Sequence, residues 1–284
     1  MSDLRYVYAV CSPLGAPLGA DLAGVGGAAP RTVHHAGLTA MVSDVPADQF
    51  SESALRRHLE NLDWLAETAR AHDTVIAALA KVTSPVPLRL ATVFRDDSGV
   101  RAMLETEADR LRASLTRIHE RVEWGVKVYV EEEQAEPTAA PRGGSGAADH
   151  GGRSRLSGSS LATGSGRDYL RRRRAERAGR DEVWRRAETF AQRLHDQLSL
   201  HADETRLHAP QSPELTRAAG RNVLNAAYLV HRSASDAFAE QVDARKDEQP
   251  GLRVELTGPW AAYSFSRQPE ERSDTTQPSA GDTP

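Results

Sequence analysis

The residues that could bind a metal or act in acid–base chemistry are spread along this chain of 284 residues. His34 and His35 are adjacent, so on a strand their side chains point to opposite faces and cannot share one ion. His58 and His72 lie far apart on helical sequence. Because a protein metal site needs several converging ligands, we predict no metal-binding residues and interpret these histidines as surface or helix-packing residues.

The sequence also lacks the motifs of covalent catalysis and phosphate binding. Cys11 is the single cysteine, so no disulfide or thiolate metal cluster can form within one chain, and a reducing cytoplasm is the expected compartment. There is no G-x-S-x-G elbow, H-E-x-x-H pair or P-loop. The run Gly24-Val25-Gly26-Gly27 lacks the Lys-Ser/Thr of a phosphate loop and predicts a turn. We therefore predict no catalytic or cofactor-binding residues, no cofactor and no enzyme activity.

A basic segment runs from Arg171 to Arg186. Its arginines are partly offset by acidic residues, with Arg171–Arg174, Arg177, Arg180, Arg185 and Arg186 set against Glu176, Asp181 and Glu182. A nucleic-acid site would call for interleaved aromatic residues, and the segment offers Trp184 alone. A solvated helix face is the simplest interpretation, while binding of an acidic partner stays open.

The length of the chain predicts two domains, and its charge balance predicts no strong overall electrostatic field. The length suits two domains that each bury a core, and 36 basic residues stand against 40 acidic ones. No long apolar run resembles a signal peptide or approaches the ~20 residues of a membrane helix. We therefore expect a soluble protein of the cytoplasm that binds neither nucleic acid nor a lipid membrane.

Residues 1–133 read as one α+β domain. Strand patterns cover 4–10, 32–35, 38–42, 85–94 and 122–130, and helical patterns cover 51–82, as two helices, and 98–118, as one. In the last strand Trp124, Val126 and Val128 alternate with more polar residues, as in a half-buried strand. The order predicts a modified ferredoxin-like sandwich, with both 85–94 and 122–130 as strands of the first domain's sheet.

The second half of the chain predicts a flexible segment, a second domain and a tail. Residues 134–167 are rich in Gly, Ser and Pro and predict a flexible linker or insert. From 168 to 201 an apolar stripe predicts a long helix of the coiled-coil type; at ~50 Å part of it should project. We predict that this helix belongs to an α+β domain over 168–266, together with a strand at 222–231, a helix at 234–242 and a strand at 252–256. Residues 267–284 predict a disordered tail.

Short motifs in both halves of the chain carry a resemblance to a known family. They are Tyr6-Val7-Tyr8, His72 ahead of Val75, Pro87-Leu88-Arg89, Thr92-Val93-Phe94, Val122 to Tyr129, Leu256 to Trp260 and Tyr263-Ser264-Phe265. Together they resemble the gas vesicle protein F/L family. Leu90-Ala91 departs from an aromatic residue and a glycine, and Ala261-Ala262 departs from prolines. The resemblance implies a ferredoxin-related N-terminal domain and a C-terminal α+β domain with a coiled-coil element.

The resemblance also implies an assembly factor or minor shell component of the gas vesicle. Its expected partners are the hydrophobic structural subunit, of the GvpA type, and other accessory proteins. A subunit that faces gas exposes apolar surface before it polymerises, and such a surface aggregates unless a partner covers it. We expect this protein to limit that aggregation during nucleation, in the cytoplasm or on the gas vesicle.

Two other classes of function stay open. One is a small-ligand-binding or enzymatic module on ferredoxin-like domains, a scaffold that hosts many functions. The other is a nucleic-acid binder that uses the Arg-rich helix, which would bind with strong salt dependence.

Overall fold

The computed structural model describes residues 3–15, 18–19, 22–58, 60–131, 164–210 and 220–266. The predicted tail over 267–284 lies outside the described residues, and so does the predicted linker up to residue 163. From Gly164 onward the chain is helical, so the long helix begins before the predicted residue 168. No helix among the described residues is long and apolar enough to span a membrane.

The first sheet is antiparallel throughout. Its strands are β1 (Leu4–Cys11), β2 (Arg31–His35), β3 (Leu38–Val45), β4 (Val86–Pro87) and β5 (Val93–Phe94). The order is β2-β3-β1-β4, and β5 also pairs with β1. The predicted hairpin is confirmed, with Ala36 and Gly37 both at positive φ, as a tight turn between twisted strands requires.

The predicted strand over 85–94 is corrected to two short strands separated by a turn. Ala91 has a φ of 61°, in the left-handed region, which takes the chain out of the sheet between β4 and β5. The turn is held by the Arg89 carbonyl, which accepts hydrogen bonds from the backbone N–H and the side-chain hydroxyl of Thr92. Apolar character marked this run as buried, but it did not reveal the break.

Five helices accompany the first sheet. They are α1 (Ala47–Phe50), α2 (Glu52–His58), α3 (Leu62–Ala80), α4 (Asp97–Thr106) and α5 (Ala108–Ile118). Asn61 starts α3 by accepting hydrogen bonds from the N–H groups of Asp63 and Trp64. The two helices predicted over 51–82 are confirmed as α2 and α3. The single helix predicted over 98–118 is corrected to two, because the chain leaves helical geometry at Glu107.

The second sheet is also antiparallel, with strand order β7-β8-β6-β9. Its strands are β6 (Arg121–Val130), β7 (Glu204–Leu207), β8 (Arg221–His231) and β9 (Leu252–Trp260). The prediction that 122–130 belongs to the first sheet is therefore wrong. On one side Trp124 pairs with Tyr228 of β8, and on the other Val126 pairs with Leu256 of β9. One side of β1 pairs with β3 and the other with β4 and β5, so no side of β1 is left for β6. β6 pairs instead with β8 and β9, which are of similar length.

Two helices cover one face of the second sheet. They are α6 (Gly164–Ser199) and α7 (Ser235–Asp243). The C-terminal half of α6 buries Phe190, Ala191, Leu194 and Leu198 against the sheet. Between Leu170 and Val183 the predicted stripe is exposed, and these two side chains are 57% and 44% accessible. The prediction that part of the helix projects is confirmed, whereas coiled-coil packing stays a prediction.

The two sheets share part of one hydrophobic core. Helices α4 and α5 pack Leu104, Leu111 and Ile118 against the first sheet, and the same cluster contains Ala227 and Leu229 of β8. The chain forms a mixed α+β fold of two antiparallel sheets and packed helices. The ferredoxin-like description and the domain boundaries at 133 and 168 stay predictions.

Candidate functional site

The loop after β9, residues 261–266, fastens the second sheet to helices of the first half of the chain. Ala262 and Phe265 are buried in the core that contains α4 and α5. The Ser114 hydroxyl of α5 donates a hydrogen bond of 3.1 Å to the carbonyl of Ser266. The Tyr263 hydroxyl donates one of 2.9 Å to the Asp73 carboxylate of α3. We call residues 261–266 the C-terminal latch.

The C-terminal latch is also anchored to β6 by a buried carboxylate. Glu123 accepts hydrogen bonds of 2.7 Å from both the backbone N–H and the hydroxyl of Ser264. Burial raises the pKa of this carboxyl, while the two hydrogen bonds oppose that rise. Its oxygens are thus occupied by the latch, which fixes the loop at this point.

The latch brings a serine, a histidine and a glutamate together without making a catalytic triad. His208 Nε2 lies 3.2 Å from the Ser264 hydroxyl oxygen. Because the Ser264 proton is donated to Glu123, His208 must act as the donor to that oxygen. An activated serine instead donates its proton to the histidine, and the carboxylate holds the histidine. The geometry therefore holds the loop, and His208 is not placed as a general base for Ser264.

A second polar contact lies beneath the latch, where α3 meets β1. The backbone N–H of Ala91 donates to the Tyr6 hydroxyl at 3.2 Å, and that hydroxyl lies 3.0 Å from His72 Nδ1. Among the described residues Nδ1 is the acceptor within reach of the Tyr6 hydroxyl proton, so the hydroxyl donates to Nδ1 and Nε2 carries the proton of the imidazole. Burial lowers the pKa of His72, which keeps the ring neutral. Its Nε2–H is buried without a hydrogen-bond partner among the described residues.

His72 lines an open cavity of about 390 Å³, which we call the seam cleft. The cleft lies between α3, the turn after β4 and the C-terminal latch. Its lining residues are Ala69, His72, Asp73, Pro87, Leu88, Arg89, Leu90, Tyr263 and Ser266. The volume falls in the range of protein ligand pockets, and the walls combine aliphatic surface with a few polar groups.

The other histidines singled out in the sequence have local partners. His34 Nδ1 lies 3.0 Å from the Thr39 hydroxyl, and His35 Nε2 lies 2.7 Å from the Glu105 carboxylate. His58 stacks on Trp64. Within the described ranges no three His, Cys, Asp or Glu side chains are placed to hold a metal ion. The absence of metal-binding, cofactor-binding and catalytic residues stays a prediction.

Cys11 and the glycine run have structural positions. The Cys11 thiol is buried beside the Thr39 carbonyl, and burial raises its pKa to about 12, far from the thiolate of a nucleophilic cysteine. Val25–Gly27 is a short 3₁₀ turn, and the Val25 N–H donates to the Tyr8 hydroxyl at 2.7 Å. The prediction of a turn is confirmed.

The Arg-rich half of α6 presents a basic surface to solvent. Side chains from Arg171 to Arg186 are exposed wherever they are described, apart from the half-buried Trp184. The Trp184 ring lies under the Arg221 guanidinium at 4.3 Å. The single aromatic residue of this segment is therefore engaged within the fold, which weakens the nucleic-acid interpretation.

The sequence named several residues of the seam cleft without placing them together. His72, Pro87-Leu88-Arg89 and Tyr263 each belong to a separate motif, and the fold brings all three motifs to one cavity. Glu123 and Ser264 were part of longer motifs, and His208 was not singled out at all. The signal for Glu123 was a lone carboxylate in an apolar strand, which must find donors when it is buried.

Comparisons with known proteins identify relatives along nearly the whole chain. The family model described as gas vesicle synthesis protein GvpL/GvpF matches residues 4–267. The chain is 50% identical to gas vesicle protein L of Streptomyces sp. (strain CB03234), over 96% of this chain and 97% of that protein. It is 25% identical to gas vesicle protein F of the same strain, over 92% of this chain and 98% of the relative.

Two crystal structures share the fold. GvpF from Anabaena sp. PCC7120 aligns with a TM-score of 0.60 at 20% identity, over 94% of this chain and 98% of that one. GvpF from Microcystis aeruginosa aligns with a TM-score of 0.62 at 18% identity, over 94% of this chain and all of that one. At these identities the likeness concerns the fold alone.

Proposed function

This chain belongs to the gas vesicle synthesis protein GvpL/GvpF family, and we propose that it binds the hydrophobic structural subunit of the gas vesicle and limits its aggregation during nucleation. The observation that carries the proposal is the family match over residues 4–267, together with 50% identity to a gas vesicle protein L. A role in gas vesicle assembly follows from the family. The choice of partner and the chaperone-like action are our inference.

The physical argument concerns what a shell subunit needs before it polymerises. A surface that will face gas is apolar, and an exposed apolar surface drives association with other copies. A partner that covers or orients this surface favours ordered growth over aggregation. The GvpA-type structural subunit and the other accessory proteins are therefore the proposed partners, in the cytoplasm or on the vesicle.

The polar groups of the fold support a binding role rather than a catalytic one. Glu123, Ser264 and His208 are arranged to hold the C-terminal latch, as their hydrogen bonds require. The latch joins α3, α5 and the second sheet, so it gives the seam cleft firm walls. Preorganised walls suit a surface that binds a partner without rearranging.

The projecting half of α6 offers a second proposed contact surface. Tyr169, Leu170 and Val183 are between 44% and 57% exposed there, among exposed arginines. We propose that this half packs on a partner helix, the coiled-coil element that the family resemblance implies. The ferredoxin-like description of the first half of the chain belongs to the same proposal.

A deletion and complementation experiment tests the assembly role. In the native host, removal of this gene together with any paralogue should abolish gas vesicles seen by electron microscopy, and the full-length chain should restore them. Normal vesicles in the double deletion would contradict the proposal. Tagged protein should also retain the structural subunit on a column, with an unrelated tagged protein of similar charge as the control.

A further inference from the structure

Two segments distant in sequence line the seam cleft and carry hydrogen-bond donors that the fold itself does not use. We propose that the seam cleft binds the carboxylate of an acidic side chain of a partner protein, through the His72 Nε2–H and the Arg89 guanidinium. The inference rests on the proposed function, because it assigns one contact of the assembly complex to this cavity.

His72 provides the first donor. Its ring is held from the core side by Tyr6 through Nδ1, and it packs against the Tyr6 and Tyr8 rings at centroid distances of 5.7 and 5.6 Å. The side chain is 2% exposed, and its Nε2–H has no acceptor among the described residues. A buried donor without an acceptor is unfavourable and calls for a partner. His72 lines the cleft, and its Nε2 is closed to solvent in this conformation, so a group bound in the cleft reaches that nitrogen after a small rotation of the ring or a small shift of the cleft wall.

Arg89 provides the second set of donors. It is exposed at the rim of the cleft, and its guanidinium makes no hydrogen bond or ion pair with any residue that the structure describes. A guanidinium offers a planar fork of donors that matches the two oxygens of a carboxylate. The fixed backbone of the turn supports this position, since the Arg89 carbonyl accepts two hydrogen bonds from Thr92.

The remaining groups define the kind of anion that fits. Ala69, Leu88 and Leu90 line the cleft with aliphatic surface, which suits the stem of a glutamate side chain. Asp73 is the opposing charge; it accepts from the Tyr263 hydroxyl and is exposed to solvent, where its repulsion is screened. One guanidinium, one neutral imidazole and one carboxylate provide too little positive charge for a phosphate dianion, so a single carboxylate is the better match.

Nuclear magnetic resonance of the full-length protein tests the site directly. The probe is N-acetyl-glutamate N-methylamide, and its neutral control is the corresponding glutamine compound. We expect the glutamate probe to shift the His72 Nε2 resonance saturably, with a dissociation constant on the order of millimolar. The glutamine probe should bind at least several-fold more weakly. Equal shifts with both probes would overturn the proposal, because the donor would then bind any acceptor. No shift with either probe would also overturn it, because the donor would then be satisfied by water or out of reach.

Variants separate the cleft from general effects of charge. Arg89→Gln should weaken the glutamate probe about tenfold, as expected for loss of a charged hydrogen-bond donor. Arg95→Gln removes an arginine that is also exposed but lies outside the cleft lining, and it should leave the affinity unchanged. Equal affinity in the Arg89 and Arg95 variants would overturn the role of Arg89. Thermal unfolding of both variants should match the unsubstituted protein, because both side chains are exposed.

A co-purification experiment distinguishes failure of this site from failure of the assembly role. Tagged unsubstituted protein, Arg89→Glu and Arg95→Glu are purified from the gas-vesicle-producing host, and gas vesicle proteins are quantified by mass spectrometry. We expect Arg89→Glu to lose at least one of them by about tenfold, while Arg95→Glu keeps all. If all three retain the same proteins, the carboxylate site is wrong and the assembly role stands. If even the unsubstituted protein retains none, the proposed function itself fails.

Discussion

The hydrogen bond between Ser264 and Glu123 gives a prediction whose size follows from the structure. Ser264→Ala removes a 2.7 Å hydrogen bond to a buried carboxylate while leaving the backbone N–H bond in place. Hydrogen bonds to charged groups contribute ~1.5–3 kcal/mol, and Ser264 is half-buried. We therefore expect the free energy of unfolding to fall by about 2 kcal/mol. For a fold of this size that lowers the melting temperature by roughly 4–8 °C.

The same carboxylate gives the prediction a pH dependence of known sign. Burial raises the pKa of Glu123 in the folded state, so the folded protein binds more protons than the unfolded chain above its usual pKa of about 4.3. Stability then falls as the pH rises from that value through the folded-state pKa, and it levels off above it. Glu123→Gln lacks this titration. The difference in unfolding free energy, Glu123 minus Glu123→Gln, should therefore decrease with rising pH.

Urea denaturation followed by circular dichroism measures both effects, at several pH values between 4 and 8. Ser53→Ala serves as the control, because Ser53 is exposed on α2 and should change stability by less than ~0.5 kcal/mol. A loss below ~0.5 kcal/mol for Ser264→Ala would refute the latch as a fastening of the two sheets. A difference between Glu123 and Glu123→Gln that grows with pH would refute the assigned burial of the carboxylate.

Three further predictions test other parts of the fold by the same denaturation assay. The Arg31 guanidinium lowers the pKa of Asp97 to about 2, so Asp97→Asn should lower the free energy of unfolding by about 1 kcal/mol at pH 7. This loss should shrink as the pH falls from ~4 toward 2, because Asp97 is then protonated. A loss that does not change with pH would contradict the pairing of Arg31 with Asp97. Ala36 has a φ of 50° in the hairpin turn, so Ala36→Asn should stabilise the protein by about 0.5 kcal/mol, and a loss of stability would show that the turn is not strained. Gly258→Ala places a Cβ 2.8 Å from a backbone oxygen of β6 at a φ of 129° and should cost more than ~2 kcal/mol. Gly251→Ala, where the added Cβ meets open space at a φ of 80°, should cost only ~1 kcal/mol, and equal losses in the two alanine variants would contradict the close approach at Gly258.

The elements that the sequence predicted well are those whose pattern is local. The strand at the N-terminus, the hairpin around Gly37 and the strands 222–231 and 252–256 follow from alternation and turn chemistry. The projection of α6 follows from its length against a small sheet. These features depend on neighbouring residues, so one sequence is enough to recognise them.

The features that the sequence did not predict depend on contacts between distant residues. Alternation identified β6 as a strand, but alternation does not say which strands it joins, and β6 pairs with the C-terminal half of the chain. β7 was missed because Glu204–Leu207 is short and largely polar. The seam cleft was missed because His72, Arg89 and Tyr263 lie on three separate elements that only the folded chain brings to one cavity.

The most direct test of the assembly role is the solubility of the gas vesicle structural subunit when it is co-expressed with this protein. Lysates are separated by centrifugation, and the subunit is quantified in the pellet and in the supernatant at equal expression. The proposed role predicts a larger soluble fraction with this protein than with an unrelated protein of equal size and charge. An unchanged distribution between pellet and supernatant would contradict it.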